Sequence, residues 1–372
     1  MSDMMERSKC PSIRFFFNKQ SIPVAAVIII VITHMTHRSG DVAASSDDRC
    51  SSVFSISEAR RAWESEAASL ASCGDEVLTA SQVTTCLRRL YARRQRPVRI
   101  VLIGDSRSRI LFEELLKKRG LRWKGKLLED LKRKRNSSQV VHGMPEHCTI
   151  GIEIFRGMRR ARFACDSEDP GGQLEWTFYW SPRVADQHRE VFAGLTAECQ
   201  IGRECPDLVV MTAGLWYAKP PGHMGDPLRE RVMKFRMEWL ELMPTLQTLA
   251  AHTQIVYKLD GPEFLEGRGR RSKIGPVILA LNALGLEFLS QVRGVRPWTS
   301  SLADTLRVQH SVCLPLAANH TAMPAPLKME CLDENHAGPT VRAAAVGTLM
   351  NFVCGSTYPR PPAHCCSSAP RA

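Results

Sequence analysis

Short runs of branched apolar residues alternate along the chain with longer segments of helical periodicity. Val98 to Ile103 is such a run, interrupted by a single arginine and ended by Gly104, and it predicts a buried strand. From Ser106 to Lys118, apolar residues recur at helical spacing. The pattern therefore predicts a strand, a tight turn and a helix in direct succession.

The same two patterns recur through the rest of the chain. They predict further strands at 150–155, 174–180, 208–214 and 255–259, and further helices at 57–71, 228–252, 274–292 and 340–353. Segment 117–138 is predicted to be a surface excursion and segment 297–327 to be irregular. Strands that alternate with helices predict an α/β fold, a three-layer α/β/α sandwich with a mainly parallel central sheet.

An apolar segment near the N-terminus, Ile22 to Thr33, follows the cationic residues Arg7, Lys9, Arg14 and Lys19. This charge asymmetry predicts a cytoplasmic N-terminus. The segment is shorter than the roughly 20 residues of a spanning helix, so it fits either a type II signal anchor or a signal peptide. Both alternatives direct the chain into the secretory pathway.

The predicted organisation follows from this segment. It is a cytoplasmic tail at 1–20, the anchor or signal peptide at 21–36, a polar stem at 37–60, one folded domain at 61–356 and a disordered tail at 357–372. With an anchor, the expected location is the Golgi or endoplasmic reticulum membrane, with the domain in the lumen. With a cleaved signal, the protein is secreted.

Cysteine and charge content refine this picture. The chain has 13 cysteines, only one of them before the apolar segment, and their spacings match no metal site. We therefore expect disulfides, with the connectivity left open, and no metal. Asn136 and Asn319 stand in glycosylation sequons.

The formal net charge of +12 does not indicate nucleic-acid binding, because the sequence contains no recognised nucleic-acid motif. The basic runs Lys117 to Arg119 and Lys132 to Arg135 account for part of that charge. They are either solvated surface or a patch that attracts acidic glycans or anionic lipid. Charge alone does not select a function.

Ser106 has a position that favours chemistry. A residue at the carboxyl end of a parallel strand lies where open α/β sheets bind ligands, and the helix that follows stabilises negative charge at its N-terminus. A serine nucleophile needs a base. His336 is the candidate base, and Asp333, three residues earlier, would fix its tautomer. Each motif is weak alone, and the combination predicts a triad.

Gly104-Asp105-Ser106 early in the chain and Asp-x-x-His late in it resemble the pattern of the SGNH/GDSL superfamily. Arg109, three residues after the serine, is similar to the PC-esterase branch, and within it the lumenal domain of sialate O-acetyltransferases. The resemblance extends from Cys73 to Cys354. Its less specific matches are Cys73, Cys86, Phe178 to Pro182, Ala213 to Trp216, Asp260 to Pro262 and Asn351 to Cys354.

The resemblance implies an SGNH hydrolase-like fold and a triad that forms an acetyl-serine on Ser106. The acetyl group would pass to a sugar hydroxyl, with sialic acid as the acceptor suggested by the likeness. The backbone amides of Ser106 and Gly214 would form the oxyanion hole. Arg109 would either assist there or form a structural ion pair. Trp216 and Trp180 would line a sugar site, or Trp180 would belong to the core.

The resemblance also implies partners. No bound cofactor is expected, and the acetyl donor would be acetyl-CoA or an acetyl group supplied by a multi-spanning transporter or transferase. The expected acceptor is a glycan. Two alternatives remain open at this point: a carbohydrate acetylesterase with the same triad, in which water accepts the acyl group, and an inactive glycan-binding relative.

Overall fold

The computed structural model describes most of the chain after the predicted stem. The described residues are Phe54, 78–118, 137–138, 148–155, 158–165, 174–184, 186–202, 205–219, 226–263, 265–266, 270–318, 324–333 and 335–355. All of them belong to one unit, 41–372. The predicted membrane segment, the helix predicted at 57–71 and the predicted tail lie outside them. None of the helices in the described ranges is long and apolar enough to span a membrane.

The strands and helices follow one another in the order expected for an α/β fold. The strands are β1 Val98–Gly104, β2 Ser137–Ser138, β3 Cys148–Phe155, β4 Met158–Cys165, β5 Leu174–Trp180, β6 Leu208–Met211, β7 Gln254–Lys258, β8 Leu265–Glu266, β9 Arg270–Arg271 and β10 Val295–Trp298. The α-helices are α1 Ala80–Arg94, α2 Ser106–Lys118, α3 Asp186–Gln200, α4 Leu215–Ala218, α5 Leu228–Ala250, α6 Ile274–Leu289, α7 Ser300–Val308, α8 Leu314–Ala318, α9 Ala325–Cys331 and α10 Pro339–Gly355. A π-helical turn, Gln309–Cys313, joins α7 to α8.

Eight of the described strands form one sheet in the order β10-β7-β6-β1-β5-β4-β3-β2. The neighbouring pairs from β10 to β5 are parallel, while β4, β3 and β2 add an antiparallel edge. The short strands β8 and β9 pair with each other. β1 lies between β5 and β6, so the chain crosses over it, and the carboxyl end of β1 is the place where such sheets bind ligands.

Helices cover both faces of this sheet. Val256 of β7 belongs to a buried cluster that contains residues of α1, α2 and α10. The next residue, Tyr257, contacts Trp239 of α5 at a ring-centroid distance of 5.2 Å and lies against Gly285 of α6. Since successive strand residues point to opposite faces, these contacts define two helical layers. The predicted three-layer sandwich with a mainly parallel sheet is confirmed.

Some predicted elements differ from the structure. Segment 297–327 is not irregular, because it contains the end of β10, all of α7 and α8, and the start of α9. Within 117–138, the first two residues end α2 and the last two form β2, while the rest lies outside the described residues. The patterns also missed α1, β4 and α3. Three arginines in β4 hide its apolar positions.

Phe54 extends the core into the predicted stem. Its ring is buried between Trp298 and Phe352, at centroid distances of 5.1 and 4.8 Å. Its carbonyl oxygen accepts a hydrogen bond of 2.8 Å from the backbone N–H of Thr299. The core therefore includes Phe54, a residue of the predicted stem.

Three disulfides lie in the described part of the chain, as expected from the cysteine content. Cys86–Cys354 joins α1 to α10, Cys199–Cys205 closes a short loop after α3, and Cys313–Cys331 joins the π-helical turn to α9. The first of them connects residues 268 positions apart. The first and the last of the described helices are therefore joined covalently.

Gly104 ends β1 in a conformation that side chains rarely adopt, with φ of 155°. A Cβ at this position would overlap the hydroxyl oxygens of Thr212 and Ser108, which are hydrogen-bonded to each other at 2.8 Å. We expect Gly104→Ala to lower the free energy of unfolding by about 2 kcal/mol or more, measured by urea denaturation. Gly151→Ala is the matched control, since a Cβ at Gly151 meets nothing within 4 Å. Equal losses in the two variants would contradict the steric argument.

Candidate active site

The candidate site forms where three adjacent parallel strands end. Gly104, the last residue of β1, lies opposite Trp180, the last residue of β5. On the other side of β1, Thr212 directly follows β6, and its backbone N–H donates to the carbonyl oxygen of Ile103 at 3.0 Å. The loops that follow these strands therefore lie side by side around Ser106.

Asp105 caps the helix that carries Ser106. Its Oδ1 accepts a hydrogen bond of 2.8 Å from the backbone N–H of Arg107, and its carbonyl oxygen accepts one of 3.1 Å from the N–H of Arg109. This is the geometry of an N-cap residue, which satisfies helix donors that have no partner within the helix. The cap places Ser106 in the first turn of α2, where the helix dipole favours negative charge. This N-cap role of Asp105 was not predicted from the sequence.

His336 and Asp333 reach Ser106 from the loop between α9 and α10. His336 Nε2 lies 2.8 Å from Ser106 Oγ, and His336 Nδ1 lies 2.7 Å from Asp333 Oδ2. Because an ionised carboxylate only accepts, Nδ1 carries the proton, and Nε2 is then the acceptor for the serine hydroxyl. The structure thus brings the three predicted residues into one hydrogen-bonded chain.

Two features fix the shape of this loop. The Cys313–Cys331 disulfide holds its start, and Asp333 Oδ1 accepts a hydrogen bond of 2.9 Å from the backbone N–H of Asn335. Burial opposes the ionisation of Asp333, but the hydrogen bond and charge of His336 outweigh it, so the pKa of Asp333 is lowered. Asp333 therefore carries its charge at neutral pH, as an acceptor for Nδ1–H must.

Gly214 follows the strand next to β1, as an oxyanion residue would. It precedes α4 with φ of 152°, and a Cβ there would lie 3.2 Å from the Asp260 carboxylate. Trp216, in the first turn of α4, contacts Trp180 edge to face at a centroid distance of 6.5 Å. Both tryptophans are half-buried. Lys219 Nζ lies 4.7 Å from the Trp216 ring centroid, so the aromatic pair carries a cation beside it.

Arg109 forms the ion pair that was one of its two predicted roles, and its assistance at the oxyanion hole stays a prediction. Its guanidinium pairs with Glu113 one turn further along α2. Such a pair stabilises the helix. The predicted glycosylation sites Asn136 and Asn319 lie outside the described residues. Among the residues that are described, no group of three or more metal-ligating side chains occurs.

Charged side chains are buried beneath the site. Asp260, Asp105 and Glu263 are almost fully enclosed, and the half-buried Lys258 lies close to them. Burial and the neighbouring charge of Asp260 raise the pKa of Asp105 to about 7, although Arg107 and Lys219 lower it. Burial likewise raises the pKa of Glu263 to about 8. At neutral pH this cluster therefore holds protons that exposed carboxyl groups would release.

A cavity of about 530 Å³ opens beside the base. It is lined by Lys328, Met329, Leu332, Asp333, Asn335, His336, Ala337 and Arg342. The cavity thus adjoins His336 and its carboxylate partner, and two of its lining residues are cationic. A molecule in it would approach the histidine that contacts Ser106.

Comparisons with known proteins add little to this geometry. No known family profile matches the chain, and no curated protein matches it. Six chains among the solved structures do match, and one is described as a peptidoglycan O-acetylesterase in action. It is 12% identical, with a TM-score of 0.36, and the match covers 74% of this chain and 97% of that one. The roles of individual residues rest on the contacts of this chain.

The raised pKa of Asp105 has a consequence for stability. Between about pH 4 and about pH 7 the folded chain keeps a proton on Asp105 that the unfolded chain has lost, so stability decreases as pH rises through this window. Asp105→Asn keeps an oxygen that can cap the helix and removes the titration. We expect its free energy of unfolding, relative to the wild type, to rise across the same window. Urea denaturation at several pH values measures this, and a difference independent of pH would contradict it.

Proposed function

We propose that this protein is a glycan O-acetyltransferase of the secretory pathway, with an SGNH-type α/β fold, that forms an acetyl-serine on Ser106. The observation that carries the proposal is the hydrogen-bonded chain from Ser106 Oγ through His336 to Asp333. This arrangement activates a hydroxyl that is not nucleophilic at neutral pH. The position of Ser106 at the N-terminus of α2 supports the same chemistry.

The geometry supports a two-step reaction. His336 Nε2 takes the proton of Ser106 as Oγ attacks the acyl carbonyl, and Asp333 stabilises the imidazolium that results. The negative charge on the carbonyl oxygen develops beside the first turn of α2, where we assign the Ser106 and Gly214 amides as donors. His336 then gives its proton to the leaving group. In the second step His336 takes a proton from the acceptor hydroxyl as its oxygen attacks the acyl carbon. The bond from that carbon to Ser106 Oγ then breaks, and His336 returns the proton to Oγ.

Three features favour a sugar as the acceptor. The half-buried rings of Trp180 and Trp216 lie at the same sheet edge as Ser106, and flat aromatic surfaces suit the apolar faces of sugar rings. The cavity beside His336 is large enough for a small group, and an acceptor bound there would meet the base. The predicted anchor or signal peptide would place this site in a compartment rich in glycans. Sialic acid is the acceptor that the sequence resemblance suggests.

The second candidate function is a carbohydrate acetylesterase. Transfer and hydrolysis share the acyl-serine, and the open cavity beside His336 also admits water. The purified full chain, given an acetyl ester together with sialylated or neutral glycans, distinguishes the two. We expect mass spectrometry to detect an acetyl adduct on Ser106 and acetylated glycan as product. Free acetate alone would contradict transfer, and no adduct together with no turnover would leave the inactive glycan-binding alternative.

The Asp333 carboxylate gives a further prediction. Asp333→Asn removes the carboxylate that accepts from Nδ1–H, so His336 is no longer held in the tautomer whose Nε2 accepts the Ser106 proton. We expect kcat to fall about 10³- to 10⁴-fold. Stability should change little, because the Asp333 side chain is 46% exposed. Glu241→Gln is the matched control: it removes an exposed carboxylate that pairs with Arg189 at 3.7 Å, between α5 and α3. Equal activity in the Asp333→Asn variant and the control would exclude Asp333 from the reaction.

A further inference from the structure

Arg107 is a buried cation directly beside the nucleophile. Its side chain is only 6% exposed, although burying a guanidinium is costly unless it is paired and hydrogen-bonded. It lies in the first turn of α2, immediately after Ser106. A guanidinium buried at this position must be stabilised by the groups that it contacts.

The contacts of Arg107 connect three segments of the site. Nε donates to the carbonyl oxygen of Asn335 at 2.7 Å, and Nη1 donates to the carbonyl oxygen of Gly261, also at 2.7 Å. Nη1 also lies 3.6 Å from Asp260 Oδ1. One planar group therefore links the nucleophile helix to the base loop and to the segment after β7, with donors in a fixed geometry.

The bond to Asn335 runs alongside the proposed catalytic contact. Ser106 and Arg107 are neighbours in the chain, and so are Asn335 and His336. The same two segments are thus joined twice, once by Ser106 and His336 at 2.8 Å and once by Arg107 and Asn335 at 2.7 Å. The second bond is charge-assisted, hence stronger than a neutral one. Its length limits how far His336 can move from Ser106.

We infer that Arg107 is a positioning residue that holds the His336 loop at hydrogen-bonding distance from Ser106. This inference rests on the proposed function of the triad. The ion pair with Asp260 does not account for the position of Arg107, since the hydrogen bonds go to backbone carbonyls and Asp260 lies farther away. Asp260 balances the charge, and the fork of Arg107 sets the geometry.

The test compares Arg107→Lys and Arg107→Gln with the wild-type full chain on a chromogenic acetyl ester. Neither replacement reproduces the two-way fork, so we expect kcat to fall about 100-fold, as for a reacting group displaced by about 1 Å, with KM nearly unchanged. The fraction of folded enzyme is taken from the end point of Ser106 labelling by a fluorophosphonate. The pH at half-maximal rate should stay constant, and a shift of that pH without a loss of the maximal rate would overturn the inference.

A mutant cycle separates positioning from general stability. In a His336→Ala background, Arg107→Lys should change the remaining rate by less than about threefold, because there is no base left to position. Equal losses in both backgrounds would overturn the inference. Arg99→Lys is the control: Arg99 is a buried arginine at the other end of β1, paired with Glu175 and Glu198, and its replacement should cost stability without lowering kcat.

The outcomes also distinguish this inference from the proposed function. If the wild type is labelled on Ser106 but acetylates no glycan, transfer is wrong while the effect of Arg107 on the labelling rate still tests positioning. If the wild type and Arg107→Lys are labelled at equal rates, positioning alone is wrong. If Ser106 of the wild type is not labelled at all, both are wrong.

Discussion

The hydrogen bond between Ser106 and His336 joins side chains that are 230 residues apart in the sequence. Neither partner is useful alone, because the serine needs a base and the histidine needs a fixed tautomer. Much of the described architecture can be understood through this one contact. β1 and α2 present the serine, while α9, α10 and the loop between them present the histidine. The contacts of α10 with α2 hold the two halves together.

The site also depends on charges that the fold buries at a cost. Asp260 has no exposed side-chain surface, and neither of its carboxylate oxygens has a hydrogen-bond partner among the described residues. Removing one member of such a cluster leaves the others uncompensated, which costs more than the cluster gains when intact. We attribute its retention to geometry, since Arg107 needs a nearby anion to lie beneath the nucleophile. The buried cluster thus supports position rather than stability.

Much of this arrangement could be predicted from the sequence. The parts that could not be predicted were missed for physical reasons. β1, β5, β6 and β7 are buried strands, so their apolar runs are conspicuous, and Ser106 follows the clearest of them. β4 was missed because arginines interrupt its apolar positions: Arg162 forms an ion pair with Glu175 of β5, and Arg160 lies over the ring of Tyr179. Such pairs form only once both strands are in place.

Arg107 and Arg109, which follow Ser106, show what could not be predicted about the site from the sequence. Arg107 and Arg109 are two residues apart on a helix, so they point to nearly opposite sides. The family resemblance singled out Arg109 as a candidate site residue, whereas the loop that carries His336 lies on the side of Arg107. Choosing between them requires the position of a loop more than 200 residues away. Local patterns contain no such information.

The Cys86–Cys354 disulfide bears on how this protein is made. Its second cysteine belongs to the last described helix, α10, and His336 lies in the loop directly before that helix. During synthesis, the serine and its strand emerge long before the base that activates them. A nascent chain that ends before His336 therefore contains Ser106 without the histidine that it contacts in the folded chain. The disulfide adds a covalent link between α1 and α10 once both helices are in place. The contact between Ser106 and His336 can therefore form only late in synthesis, because 230 positions separate the two residues.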